Sequence, residues 1–218
     1  MKPVLIINPN GSQKTTQDMV GITSRYLPNV VGWTNHKGPK MIVDRDQLYE
    51  AANQISAAVF PEASALIVAA FGDPGAKRLA RSMDIPVIGI AAAAAREAAL
   101  SGVSFAVVTS TPKLAPSIDK IMRAERGDTY LGCYTTEDDP LVLASNSDAL
   151  DYALITSCEI AKKAGAKRII IGGGPLGQAA IRISSQVKVP LIQPLVAACS
   201  EISALIEHQL PHVQDVYR

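Results

Sequence analysis

Leu66-Ile67-Val68-Ala69-Ala70-Phe71-Gly72-Asp73-Pro74-Gly75 and Ile169-Ile170-Ile171-Gly172-Gly173-Gly174-Pro175-Leu176 are two versions of one pattern, an aliphatic run that stops at a turn of glycine and proline. Each is followed by a short helical stretch and then by an aliphatic-Pro-aliphatic run, Ile85-Pro86-Val87-Ile88-Gly89-Ile90 in the first case and Val189-Pro190-Leu191-Ile192-Gln193 in the second. An Ala-rich helical stretch closes both copies. Generic alternation of strands and helices accounts for the order. It does not account for a proline at the same entry to the second strand. The chain therefore reads as two related halves facing each other across a pseudo-twofold axis.

Working outward, short β-branched runs at 4–7, 30–34, 66–70, 86–90, 105–109, 141–144, 168–171 and 189–192 predict strands. Helical patterns fall between them at 47–59, 76–83, 93–100, 113–123, 148–164, 176–185 and 197–208. Strands that are apolar on both faces and alternate with helices predict an α/β protein with parallel sheets covered on each side. The first half is expected to take residues 1–95 plus 196–218, and the second residues 96–195.

A chain of 218 residues is long enough for one large or two small domains. Its 48% hydrophobic and 19% charged content excludes a disordered chain. The net charge of +1, from dispersed Lys and Arg, provides no electrostatic footprint for nucleic acid. Cys133, Cys158 and Cys199 stand singly, without metal-ligand spacing, and predict a reducing compartment rather than a disulfide framework. The apolar run before Asn8 and Pro9 is too short for a signal peptide, and the longest apolar stretch, 85–95, ends at Arg96 and Glu97. A cytoplasmic protein with no membrane partner is expected.

Four strand ends lead into turns that open helices: Asn8-Pro9-Asn10-Gly11-Ser12, Phe71-Gly72-Asp73-Pro74-Gly75, Thr109-Ser110-Thr111-Pro112 and Gly172-Gly173-Gly174-Pro175. Ligands of parallel sheets bind at the carboxyl ends of the strands. Unpaired N–H groups at helix starts suit an anion or an amide-like oxygen. Each turn taken alone is explained by capping preferences. Four at equivalent places predict a cleft for a small anionic or ureide-like molecule, with Asn8, Asn10, Phe71, Gly72, Thr109, Ser110, Gly174 and Pro175 as binding candidates. Asp73, the only acidic side chain at these tips, reads equally as a helix cap or as a charged group in the site. Gly172-x-Gly174-x-x-Gly177 has the form of a dinucleotide turn, but no acidic residue ends the next strand to hold a ribose. His36 follows the second strand and is a candidate to reach the cleft. His208 and His212 read as solvated tail residues, and Asp138 and Asp139 as turn residues.

The segments Ile6-Ile7-Asn8-Pro9-Asn10, Gly38-Pro39, Ala70-Phe71-Gly72-Asp73-Pro74-Gly75, Pro86-Val87-Ile88-Gly89-Ile90 and Ala106-Val107-Val108-Thr109-Ser110 together resemble the Asp/Glu/hydantoin racemase superfamily, nearest to its hydantoin and allantoin racemases. The resemblance covers nearly the whole chain. It implies two flavodoxin-like halves with the active site between them and no metal or cofactor. It also implies two thiols on opposite faces of the substrate, one removing a proton from the stereocentre and the other returning one. The family's thiol positions fall on Ala70 and Gly173, and Ala92 stands where a Glu commonly follows Pro-Val-Ile-Gly-Ile. None of the three cysteines matches a family position.

The expected function is thus that of a racemase-family protein acting on a small amino-acid-like or hydantoin-like molecule, lacking its thiols as written. Asp73 and His36 are the substitute acid/base candidates. The alternatives are a non-catalytic binding protein for a small carboxylate or ureide, and another reaction in the same cleft, such as decarboxylation or cis–trans isomerisation. The Ala-rich helices are compatible with a homo-oligomer.

Overall fold

A computed structural model describes residues 2–100 and 102–209. Among these residues, eight strands form two parallel sheets of four. The first holds β1 (Val4–Asn8), β2 (Val30–Thr34), β3 (Ala65–Val68) and β4 (Val87–Gly89) in the order β2-β1-β3-β4. The second holds β5 (Phe105–Thr109), β6 (Tyr130–Thr135), β7 (Arg168–Ile171) and β8 (Leu191–Ile192) in the order β6-β5-β7-β8. The fold is α/β with two similar halves. The repeat extends to single hydrogen bonds: the Pro86 and Pro190 carbonyls accept from Leu66 N–H and Ile169 N–H, one pair in each half.

The period of two along each strand separates its two faces. Val4, Ile6 and Ile67 of the first sheet share one cluster with Phe105, Val107 and Ile170 of the second, so the halves are joined by a common core. The opposite faces bury into separate clusters. Leu5, Ile7, Leu66 and Val68 pack with α2 (Arg45–Ser56) and α3 (Ala76–Ser82). Ala106, Val108, Ile169 and Ile171 pack with α7 (Ser147–Lys163) and α8 (Gly177–Ile183).

Helix α4 (Ile90–Ala99) explains the alanine run. It packs against β4, β7, α5 (Ala115–Arg126) and α9 (Pro194–Gln209), and buries Ala91, Ala93, Ala94, Ala95 and Ala98. Methyl side chains let four neighbours approach one helix closely. Arg96 ties the same helices together at their rim, with Nη1 2.7 Å from Glu125 on α5 and Nε 2.7 Å from Glu201 on α9.

Two expectations are corrected. The run 141–144 is not a strand but part of helix α6 (Pro140–Ala144), because Asp139 accepts from the N–H groups of Leu141 and Val142 and Pro140 opens the first turn. The sixth strand is instead Tyr130–Thr135, a stretch absent from the expected strands, and it carries Cys133. Residues 13–23, which the sequence reading leaves unassigned, form α1 (Gln13–Thr23), capped by the Ser12 hydroxyl. His212 lies outside the described residues. No helix among them is long and apolar enough to cross a membrane.

Candidate functional site

Parallel strands β1, β3, β5 and β7 end at the same side of the molecule, and the turns after them meet there. The β3 and β7 turns touch directly. A Cβ on Gly174 would overlap the carbonyl oxygen of Ala69, and one on Gly172 would stand 2.8 Å from the Phe71 ring. Glycine at 174 is thus a condition for the halves to close on each other. The same backbone pattern sets both turns. Ala69 N–H donates to Ile7 and Gly172 N–H to Val108, while Asp73 N–H donates to Ala70 and Leu176 N–H to Gly173. Positions 70 and 173 are therefore counterparts.

Between these turns lies a cavity of about 40 Å³, lined by Asn10, Ala70, Phe71, Thr109, Ser110, Gly173, Gly174 and Pro175 among others. Met41, Ile42, Leu48, Leu114 and Leu176 complete its apolar wall. Sequence reasoning missed these five. The only available signal for the first two was Gly38-Pro39, which lays the 38–43 segment across the β1 turn: Gly11 N–H donates to Pro39, and a Cβ on Gly38 would stand 2.6 Å from the Pro9 carbonyl oxygen.

The polar groups of the cavity are uncharged. Asn10 spends its Oδ1 on Asn8 Nδ2 and Ser12 N–H, both at 3.0 Å, which leaves its amide nitrogen for the cavity. Thr109 and Thr111 share a hydroxyl–hydroxyl bond of 3.1 Å. The backbone N–H groups of Ser110, Gly173 and Gly174 have no hydrogen-bond partner among the described residues. Such donors suit a carboxylate, a ureide carbonyl or a developing oxyanion. Among the described residues the cavity lining contains no carboxylate, thiol, imidazole or amine.

Four sequence candidates, Asn8, Gly72, Asp73 and His36, lie elsewhere. Asn8 is fully buried beneath the cavity, with Nδ2 donating to Asn10 Oδ1, the Ser12 carbonyl and Thr16 Oγ1. It is a post for the β1 turn and does not line the cavity. Gly72 and Asp73 face a separate hollow beside Arg96 and Glu125. Of the two readings left open for Asp73, the geometry matches the cap. Its two carboxylate oxygens accept from Ala91 and Ala92 N–H at 2.8 Å each, across the start of α4, and its own backbone is left-handed at φ +49°. Burial outweighs these two donors and pushes the carboxyl from 3.8 up to about 7. His36 lies on another surface hollow with Trp33 and Gln54, so neither substitute acid/base candidate reaches the cavity.

The cysteines are no closer. Burial pushes the thiols of Cys133, Cys158 and Cys199 up to about 12, where they are inert at neutral pH. Among the described residues no group of three or more His, Cys, Asp or Glu could hold a metal ion.

Residues 4–202 match the Asp/Glu/hydantoin racemase family. A hydantoin racemase from Paenarthrobacter aurescens is 25% identical over 216 residues, covering 93% of this chain and 90% of its own. Among solved structures, an allantoin racemase from Pseudomonas fluorescens superposes with a TM-score of 0.87 at 24% identity, covering 95% of this chain and 92% of that one. An allantoin racemase from Klebsiella pneumoniae gives 0.83 at 24% identity, covering 96% and 89%.

Proposed function

Because the chain belongs to the Asp/Glu/hydantoin racemase family, we propose that its cleft is a racemase-type pocket for a small hydantoin-, ureide- or amino-acid-like molecule, held without cofactor and not deprotonated by the chain as written. One observation carries the reading: the two positions that the resemblance assigns to thiols, Ala70 and Gly173, border the same cavity, and among the described residues no titratable side chain borders it with them. Proton removal from carbon needs a base within about 3 Å of the proton's carbon or one water away. Hydroxyls of Thr109 and Ser110 and free amides hold an oxygen in place but do not take that proton near pH 7.

A second reading, racemisation by the chain as it stands, is supported by the match to a hydantoin racemase over 93% of the chain. Polarimetry separates the two. Calorimetry with allantoin, 5-methylhydantoin, aspartate and glutamate is expected to give saturable heat for at least one of them, while optical rotation of the bound enantiomer stays constant. Ala70→Cys combined with Gly173→Cys is then expected to start its decay. The second change has room once Leu176 shifts, since a Cβ at 173 stands 2.9 Å from that flexible side chain. Decay with the unaltered protein favours the second reading. Absence of heat with every compound removes the pocket altogether.

A further inference from the structure

The inner cavity is too small for the molecules proposed for it. Its 40 Å³ holds two or three waters, at roughly 10–15 Å³ each, whereas a five-membered ring needs more. It adjoins a chamber of about 640 Å³ that shares Met41, Ser110, Pro175 and Leu176 with it. Met41 and Leu176, both flexible at their tips, form the partition. A ring that pushes them aside to reach Ala70 and Gly173 has one continuous space into which its substituent can extend, past Ser110 and Pro175.

The walls of that chamber differ from those of the inner cavity. Where the inner lining is uncharged, the outer one carries, among the described residues, Lys14, Lys40 and Arg182 against a single carboxylate, Asp18. Two of the cations are already engaged. Lys14 pairs with Asp18 at 2.7 Å, and Arg182 with Asp151 through two bonds of 2.7 Å. Lys40 is exposed and has no ion-pair partner among the described residues. The first turns of α1 and α7 border the same space through Ser12 and Ser147, and their positive dipole ends add to its potential, less the share of Asp148 in the first turn of α7. Lys40 precedes Met41 in the segment that Gly11 and Gly38 clamp to the β1 turn, so its backbone is fixed at the partition.

We infer that the outer chamber is a substituent subsite in which Lys40 recognises a carboxylate carried on the side arm of the bound ring or amino-acid-like core. The inference rests on the pocket reading above and narrows its substrate class to molecules with an anionic arm. The inner amides hold the core, and the outer ammonium selects the arm. The core contacts are shared by neutral and anionic ligands, and the outer contact is not.

The test compares 5-(2-carboxyethyl)hydantoin with its neutral carbamoyl analogue by calorimetry, on the unaltered protein and on Lys40→Gln. The two ligands have nearly the same shape and differ in charge and in one donor group, the amide NH2. The carboxylate is expected to bind about five- to tenfold tighter at low salt, with the advantage shrinking at about 0.5 M salt, as for a half-enclosed ion pair. In Lys40→Gln the two affinities are expected to converge while that of the amide is unchanged. Equal affinities in the unaltered protein, or a carboxylate preference that survives Lys40→Gln, overturn the subsite. Binding of unsubstituted hydantoin but of neither substituted ligand also overturns it and leaves the pocket standing. Binding of none of the three overturns the subsite, and the pocket with it when allantoin, aspartate and glutamate also give no heat.

Discussion

The turn after β3 and the turn after β7 have the same hydrogen-bonded backbone and opposite contents. In the first, positions 70, 71 and 73 are Ala, Phe and Asp; in the second, their counterparts 173, 174 and 176 are Gly, Gly and Leu. Phe71 fills the space above Gly172, and Gly174 in return lets the Ala69 carbonyl lie against it. Asp73 turns outward to cap α4, whereas Leu176 turns inward and lines the cavity. A duplicated fold thus supplies two equivalent backbones. Side-chain volume decides which turn fills the cleft and which yields, and in the yielding turn an atom added at Gly174 meets the backbone of the other half.

The largest effect that this asymmetry predicts belongs to Gly174. Its Gly174→Ala substitution sets a methyl against a backbone oxygen that cannot rotate away, and the two turns must separate. A loss of about 3 kcal/mol is expected. The neighbouring Gly173→Ala meets only the Leu176 side chain, at 2.9 Å, and is expected to cost less than about 1 kcal/mol. Urea unfolding of both variants measures the contrast. Equal midpoints would show that the halves are not in contact at position 174.

The turns after β1 and β5 give a second, smaller contrast. Asn8 and Thr109 are counterparts, because their carbonyls accept from Asn35 and Thr136 N–H in the same way. Asn8 donates to three acceptors and also accepts from Asn10 N–H at 3.1 Å, all in a fully buried site. Thr109 has one side-chain bond, to Thr111. Replacing Asn8 by Ala strands several buried polar groups and is expected to cost about 2–3 kcal/mol, against about 1 kcal/mol for Thr109→Val. Thermal unfolding of the pair checks it. The Asn8 variant is also expected to weaken ligand binding, because Asn10 loses its anchor.

The halves and most strands are visible in the sequence because a buried parallel strand writes its burial as an unbroken aliphatic run. The same rule misplaces the sixth strand. Leu141-Val142-Leu143-Ala144 looks like a buried strand, yet Leu141 and Val142 are exposed and the capping pair Asp139-Pro140 turns the run into a helix. Tyr130–Thr135 is an edge strand broken by a left-handed Gly132, so it shows no such run. In the site, Asn10, Thr109, Ser110 and Gly174 are legible as turn residues at strand ends. Met41, Ile42 and Leu114 are not, since ordinary apolar residues become a cavity wall only through the path of the chain. Asp73 and His36 belong to turns beside the cleft, and sequence gives no sign of which way such side chains face.

The smallest predicted effect tests that last point, the outward turn of Asp73. Its carboxyl is held at about 7 against an ordinary 3.8, so the folded protein keeps this proton more firmly than the unfolded chain does. Its stabilising contribution is complete below about pH 4 and is lost as pH rises through about 7. The side chain borders an open hollow, which reduces the effect to about 1–2 kcal/mol across that range. The Asp73→Asn variant keeps an acceptor for the α4 N–H groups and has nothing to titrate, as Leu176 has nothing to titrate in the other half. Relative to it, the unaltered protein should lose stability between pH 4.5 and 7.5 in urea midpoints measured side by side. Parallel pH profiles would mean that the carboxyl is solvated rather than enclosed, and with it the contrast between an outward acidic turn and an inward apolar one would lose its electrostatic half.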